Sequence, residues 1–251
     1  IFEYGAFKPK TRMLGQRREK RYMELQKKVF VDICKQIEDA VDVVKPKKRL
    51  ILCIDGPAPR AKQCQQRSRR FVSAKEKSDY EIKKFDSSAI TPGTKFMDYL
   101  SKYIDWFIKK KMSQNPYWKG LEVIFSNEKV AGEGEHKILN FMRKYGDMDE
   151  SFCLHGMDAD LIMLALSSHF PNFYILREDD YSNDFSYYYL DIGNTRKDMV
   201  QKLKWKSKKY EFNSDRVIDD FVFMCFSVGN DFLPHIPGVE IAEDGIEYMI
   251  E

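Results

Sequence analysis

Cysteine is sparse and unpatterned in this chain: Cys34, Cys53, Cys64, Cys153 and Cys225 include no CxxC pair. That excludes a disulfide-framed secreted domain and fits thiols kept reduced and mostly packed, in the cytoplasm or else the nucleus. Histidine is as scarce. His136, His155, His169 and His235 show no zinc-ligand spacing and read as structural. No apolar run is long enough to span a bilayer and no signal peptide is visible, so no membrane partner is expected. Repeats, low-complexity tracts and a domain linker are missing too, so the 251 residues read as one domain with a sizeable core. Net charge is nearly absent, 42 basic against 39 acidic residues. Attraction to a polyanion must therefore be local.

Local charge is what the chain has. Basic residues crowd Lys8 to Lys28, Arg60 to Lys84 and Gln201 to Lys209, while acids gather around glycines. A site that holds divalent cations and a nucleic acid together separates its charges in this way. The centre of the pattern is Leu50 to Phe71, LILCIDGPAPRAKQCQQRSRRF. Its apolar opening, Leu50 to Ile54, predicts a buried strand that ends at Asp55-Gly56-Pro57. Open α/β sheets bind ligands at the carboxyl ends of their strands, where Asp55 falls. A helix is predicted from Arg60, after Pro59. At about 100° per residue, Lys62, Gln66, Arg69 and Arg70 share one of its faces, suited to presenting a terminal phosphate to a metal. The competing reading is a solvated basic helix; the acidic motifs further on weigh against it.

Elsewhere the periodicities predict a long amphipathic helix over Gln16 to Val44 and a second whose stripe is Phe96, Leu100, Tyr103, Ile104, Phe107 and Ile108. The second stripe is assigned to core packing rather than base stacking. Asn115-Pro116 is read as a break. Strands are predicted at Leu121–Ser126, Phe152–His155, Phe173–Leu176 and Tyr187–Ile192, with helices to Tyr145, over Asp160 to Ser167 and from Asp215 to Val228. Lys202, Lys204 and Lys206 alternate with Leu203 and Trp205, which predicts an exposed strand with one basic face. Strands alternating with helices predict an α/β fold with a mostly parallel sheet flanked by helices.

Three further motifs put carboxylates at element ends: Gly132-Glu133-Gly134-Glu135-His136, Gly156-Met157-Asp158-Ala159-Asp160 and Gly229-Asn230-Asp231. Each has an ordinary reading, as a helix cap or a surface turn. Two acids side by side repel, however, and call for a cation. Together Asp55, Glu133, Glu135, Asp158, Asp160 and Asp231 form a hard-oxygen set that suits Mg²⁺ or Mn²⁺ and not zinc.

The block DGPAPRAKQCQQRSRRF resembles the signature of the Xrn-type 5′→3′ exoribonucleases. VAGEGEHKILNFMR, HGMDADLIMLAL and DDFVFMCFSVGNDFLPH resemble later family motifs in the same order, from Lys45 to about Ile241. The resemblance implies a PIN/FEN-like nuclease core that degrades RNA processively from a 5′-monophosphate with two metal ions. It implies that the six acids are catalytic and metal-site residues and that Lys62, Gln66, Arg69 and Arg70 hold the terminal phosphate. The implied partners are single-stranded RNA and proteins of RNA decay, with a cytoplasmic or nuclear location. Ala131 stands where the family usually has proline. The family's opening D-x-N-x-x-x-H pattern has no match before Lys8. The expectation is therefore a single core domain over 1–251 whose first strand lies upstream of Ile1 and whose later segments lie beyond Glu251. The alternatives are a flap-endonuclease-like nuclease, which shares the GEGE-, DAD- and GND-type acids but not the QQRSRR block, and a catalytically impaired RNA-binding relative.

Overall fold

The computed structural model describes residues 12–76, 87–179, 186–205, 211–230, 233–239 and 244–250. The chain divides into two compact units, Ile1–Ile138 and Leu139–Glu251.

The first unit is built on two long helices. In α1 (Arg12–Val44) the apolar residues return every three or four positions, so Phe30, Cys34 and Val41 fall on one buried stripe. Lys45 ends the helix with a φ of 51° just before Pro46. The stripe packs on α3 (Lys95–Gln114), whose Phe96, Leu100, Ile104, Phe107 and Ile108 are buried as the periodicity requires, with Tyr103 against them. The rings of Phe30 and Phe96 lie 5.2 Å apart. Thr94 starts α3 by accepting a hydrogen bond from the Met97 amide at 3.3 Å. Asn115-Pro116 breaks α3 as expected, and it also starts a one-turn helix, α4 (Pro116–Lys119). The Asn115 side chain accepts from the Tyr117 amide and proline takes the first turn, where no amide donor is needed.

Against this core pack β1 (Arg49–Cys53) and β2 (Glu122–Ser126), paired in parallel with Arg49 opposite Glu122 and Cys53 opposite Ser126. An Arg49–Glu122 ion pair of 2.7 Å pins the start of that register. The basic helix α2 (Arg60–Glu76) follows β1, and α5 (Gly134–Tyr145) follows β2. The stretch after Phe71 continues α2 as far as Glu76; residues 77–86 lie outside the described set.

In the second unit β3 (Phe152–His155) pairs in parallel with β4 (Phe173–Glu178), and β4 pairs antiparallel with β5 (Tyr187–Asp191). Phe173, Ile175 and Leu176 are fully buried on β4 and form its core with Leu161, Leu166, Ile192 and Ile218. The helices are α6 (Asp160–Leu166), α7 (Ile192–Lys202), α8 (Ser214–Cys225) and α9 (Gly245–Ile250). A 3₁₀ turn, Phe226–Val228, continues α8 to Gly229, which stops it with a φ of 86°. His169 braces this unit, with Nε2 2.9 Å from Asp219 and Nδ1 accepting from Arg196 at 2.6 Å, a structural role as expected.

The fold is mixed α/β, and two expectations change. The sheets are small: two pairings are parallel and one is antiparallel among the described residues. The basic strand around Lys202–Lys206 is not formed. Asp191 caps α7 by accepting from the Asn194 amide, the helix runs on through Lys202, and Lys204 and Trp205 follow it without regular structure. Lys206 lies outside the described residues. A helix already capped and anchored by buried Ile192 outweighs a few residues of polar–apolar alternation.

Candidate metal and phosphate site

The site in the first unit grows from the ends of its two strands. Past β1, the Ile54 amide still donates to Ser126 O at 2.9 Å. The chain then turns at Gly56, whose amide donates to Gly132 O while the Gly132 amide donates back to Pro57 O. A Cβ on Gly56 would lie 1.7 Å from the Val130 carbonyl oxygen, so only glycine fits. The turn presents Asp55, whose Oδ1 accepts from the Gly134 amide at 2.7 Å, at the start of α5. A carboxylate there satisfies an orphan donor and meets the positive end of the helix. One turn on, Lys137 Nζ donates to Ile54 O at 2.7 Å and to Asn127 O at 3.0 Å. That single ammonium ties α5 to the ends of both strands. Burial pulls its pKa down, and the charges of Cys53, Asp55 and Glu128 oppose the shift.

The two glutamates of the motif sit where α5 begins. Glu133 is only 5% exposed. Its Oε2 lies 3.2 Å from Lys62 Nζ, and its Oε1 is buried with no hydrogen-bond partner. Glu135 is pushed up to about 7, first by burial and then by its hydrogen bond to Glu133 and the charges of Glu133 and Asp55, against a backbone hydrogen bond that lowers it. Ligand atoms of Glu133, Glu135 and His136 lie within 4.8 Å of one another. Crowded carboxylates and an orphaned buried oxygen fit a hard divalent cation, which would supply the missing partner and the missing charge. His136, read from the sequence as structural, offers a nitrogen to the same cluster.

A cleft of about 620 Å³ opens beside these acids. Asp55 and Glu133 line it together with Arg60, Gln66, Arg67 and Arg70 from α2, and with Thr91 and Pro92. The face of α2 that borders the cleft is thus rotated from the one read off the helical wheel. Gln66 and Arg70 line it as expected. Lys62 is turned toward Glu133, Arg69 is exposed and absent from the lining, and Arg67 and Arg60 stand there in addition. Arg67 follows Arg60 by seven residues and precedes Arg70 by three, a helical face that the sequence offered equally well.

In the second unit Asp158 and Asp160 lie at the junction of β3 and α6, both exposed. The Gly156 amide donates to Leu176 O at 3.1 Å and carries the β3–β4 pairing to the edge of the turn. Arg177 holds the turn by donating to Met157 O. Asp231 lies outside the described residues. The loop on either side of it is tied down, with the Leu233 amide donating to Asn230 Oδ1 at 2.8 Å and the Ile236 amide to Ser227 O at 2.9 Å. Among the described residues, no helix is long and apolar enough to cross a membrane.

Comparison with known proteins adds the family. A family described as "XRN 5'-3' exonuclease N-terminus" matches residues 5–179, and one described as "Xrn1 helical domain" matches residues 211–251. The match therefore starts well before the Lys45 boundary suggested by the motifs and takes in α1. A "5'-3' exoribonuclease 2 homolog" of Drosophila melanogaster is 36% identical over 290 residues, covering 89% of this chain and 32% of that protein. The proteins named "5'-3' exoribonuclease 1" of Schizosaccharomyces pombe and Saccharomyces cerevisiae are 38% and 37% identical; they align with 89% and 90% of this chain and with 19% and 17% of their own lengths. The chain thus spans a third or less of the curated relatives it matches. With a family match over most of its length and Asp55, Glu133, Gln66 and Arg70 of its motifs lining one cleft in its first unit, the chain belongs to the Xrn family of 5′-3′ exonucleases.

Proposed function

We propose that this chain carries the catalytic core of a metal-dependent 5′→3′ exoribonuclease that degrades 5′-monophosphorylated RNA processively to nucleoside monophosphates. The observation that carries the reading is the cleft that Asp55 and Glu133 line together with Gln66, Arg67 and Arg70. Acids that suit a divalent cation and guanidinium groups that suit a phosphate line one space. In this reading Asp55, Glu133, Glu135, Asp158, Asp160 and Asp231 hold two Mg²⁺ or Mn²⁺ ions within a single PIN/FEN-like nuclease domain. The ions supply water activation and stabilisation of the leaving oxygen in an in-line attack. Lys62, Gln66, Arg69 and Arg70 select the terminal phosphate, and Arg67 joins them from the cleft wall. A 5′-hydroxyl offers these groups no charge, and a cap or triphosphate adds bulk beyond the single phosphate they would hold. The partners are single-stranded RNA and proteins of RNA decay, and the place of action is the cytoplasm, with the nucleus as the other possibility.

The test is degradation of a homogeneous 5′-monophosphorylated RNA with Mg²⁺, compared with the same RNA bearing a 5′-hydroxyl. The expected outcome is mononucleotide release from the 5′ end of the phosphorylated RNA alone. Replacing both Arg69 and Arg70 by Ala removes charge-assisted hydrogen bonds worth roughly 1.5–3 kcal/mol each, enough to erase most of the preference. Internal cleavage, equal rates on the two RNAs, or full activity in EDTA would each overturn the reading.

A further inference from the structure

Lys62 stands between the two chemistries of the cleft. It belongs to the basic helix α2, yet its ammonium lies 3.2 Å from Glu133 Oε2, and the two side chains are only 14% and 6% exposed. Such a pair is little screened by water, so each partner's hold on the other is strong. The second oxygen of Glu133 is buried with no hydrogen-bond partner, and one carboxylate oxygen of Glu133 lies within 4.8 Å of ligand atoms of Glu135 and His136. A cation on that oxygen draws charge from the carboxylate and repels the ammonium. Lys62 then gains by turning toward an anion elsewhere in the cleft.

We propose that Lys62 is shared between Glu133 and the terminal phosphate of the RNA, so that a divalent cation on Glu133 releases Lys62 to the 5′ end. This rests on the metal and phosphate assignments proposed above and adds a linkage between them. By reciprocity, a 5′-phosphate held by Lys62 leaves Glu133 without its counter-ion and tightens cation binding by the same factor. End recognition then matures only on a loaded site, and an RNA end is not gripped where it cannot be cut.

The experiment measures binding rather than cleavage. Wild-type protein, Lys62→Met and Glu133→Gln are titrated with an RNA decamer whose first three linkages are methylphosphonates. The decamer carries a 5′-phosphate or a 5′-hydroxyl, and each titration is run in EDTA and in Mg²⁺. In wild type, Mg²⁺ raises the preference for the 5′-phosphate about fivefold or more, the lower end of ordinary coupling between sites. In Lys62→Met the gain falls to about twofold or less, the remainder being direct attraction between ion and phosphate. Glu133→Gln keeps the shape but drops the charge that holds Lys62, so it prefers the 5′-phosphate more strongly than wild type already in EDTA. That gain of binding needs no metal and does not depend on whether Lys62→Met folds.

A preference that is the same in EDTA and in Mg²⁺ for wild type, or no gain in Glu133→Gln, overturns the linkage while leaving the site intact. No preference for the 5′-phosphate in any protein under either condition overturns the phosphate assignment itself.

Discussion

The motifs GEGE and DAD are alike in sequence: each places two acids two residues apart where a turn enters a helix. The chain treats them in opposite ways. Glu133 is buried against Lys62 with one oxygen unpartnered, and Glu135 is held up to about 7 by burial and by its acidic neighbours. Asp158 and Asp160 stand exposed. The difference teaches that spacing identifies candidate ligands, but burial sets what each costs when no cation is present. The first pair is pre-assembled at an electrostatic penalty; the second stays hydrated and carries little of it.

The sharpest way to break this comparison is to neutralise one acid from each pair. Asp160→Asn and Glu135→Gln are both expected to reduce RNA degradation to background while RNA binding survives. Their effects on the metal-free protein diverge: Glu135→Gln raises the melting temperature in EDTA by relieving repulsion, and Asp160→Asn leaves it unchanged. Equal shifts in the two variants would mean that burial does not distinguish the pairs.

Next in size is Gly56→Ala. Its Cβ would meet the Val130 carbonyl oxygen at 1.7 Å, and forced repacking of this kind costs on the order of 1–3 kcal/mol or more. Denaturant unfolding should show the loss, and Mn²⁺ affinity should fall with it because the turn presents Asp55.

A bound cation should stabilise the wild type by an amount that grows with the logarithm of its free concentration, about 2.7 kcal/mol at a hundredfold excess over Kd. Thermal melts in Mg²⁺ and EDTA check this, and Glu135→Gln should show a smaller increment than wild type.

Proton linkage sharpens the comparison further. The carboxyl of Glu135 is raised from its ordinary 4.5 to about 7, so the folded metal-free protein binds more protons than the unfolded chain across that window. Stability in EDTA should therefore fall as pH rises from 4.5 to 7. Cation binding, which needs the ionised form, should strengthen over the approach to pH 7 and release a proton. The difference between wild type and Glu135→Gln isolates the effect; identical pH profiles for the two would rule it out.

The smallest effect belongs to the exposed cluster on α3. Asp98 is lowered to about 2 by hydrogen bonds to Lys102 and Lys129. Its contribution is present above its ordinary 3.8 and is lost as pH falls toward 2. Solvent and salt screen such pairs, so Lys129→Ala should leave the neutral-pH melting temperature unchanged. A clear drop would set this surface pair beside the buried Lys62–Glu133 pair in strength.

Much of this was legible from the residues alone. The apolar stripes of α1 and α3 read as helices because periodicity is local and the core rewards it. Strand β1, with Asp55 just past its end, read correctly as a strand because the apolar run stops at Gly56-Pro57, but its residues are half-buried and not buried as expected. What failed, failed where local pattern met a stronger partner. The alternation after Lys202 lost to a capped helix. Cleft-lining Arg67 was missed because two adjacent faces of α2 are both basic, and a helical wheel cannot say which of them faces the acids.

By itself, the sequence determined most of the helices and strands, where the acids and bases lie along the chain, and the family to which their order points. Periods of two and 3.6 residues, turn chemistry and motif spacing are properties of neighbours in the chain. Tertiary structure alone decided that Lys62 turns to Glu133, that Lys137 ties α5 to the carbonyls of Ile54 and Asn127, and that β5 pairs antiparallel with β4. The Lys137–Ile54 bond joins residues 83 positions apart, and no local pattern encodes such a contact. It forms because a half-buried ammonium needs acceptors and strand-end carbonyls need donors, and the packed fold brings the two within reach.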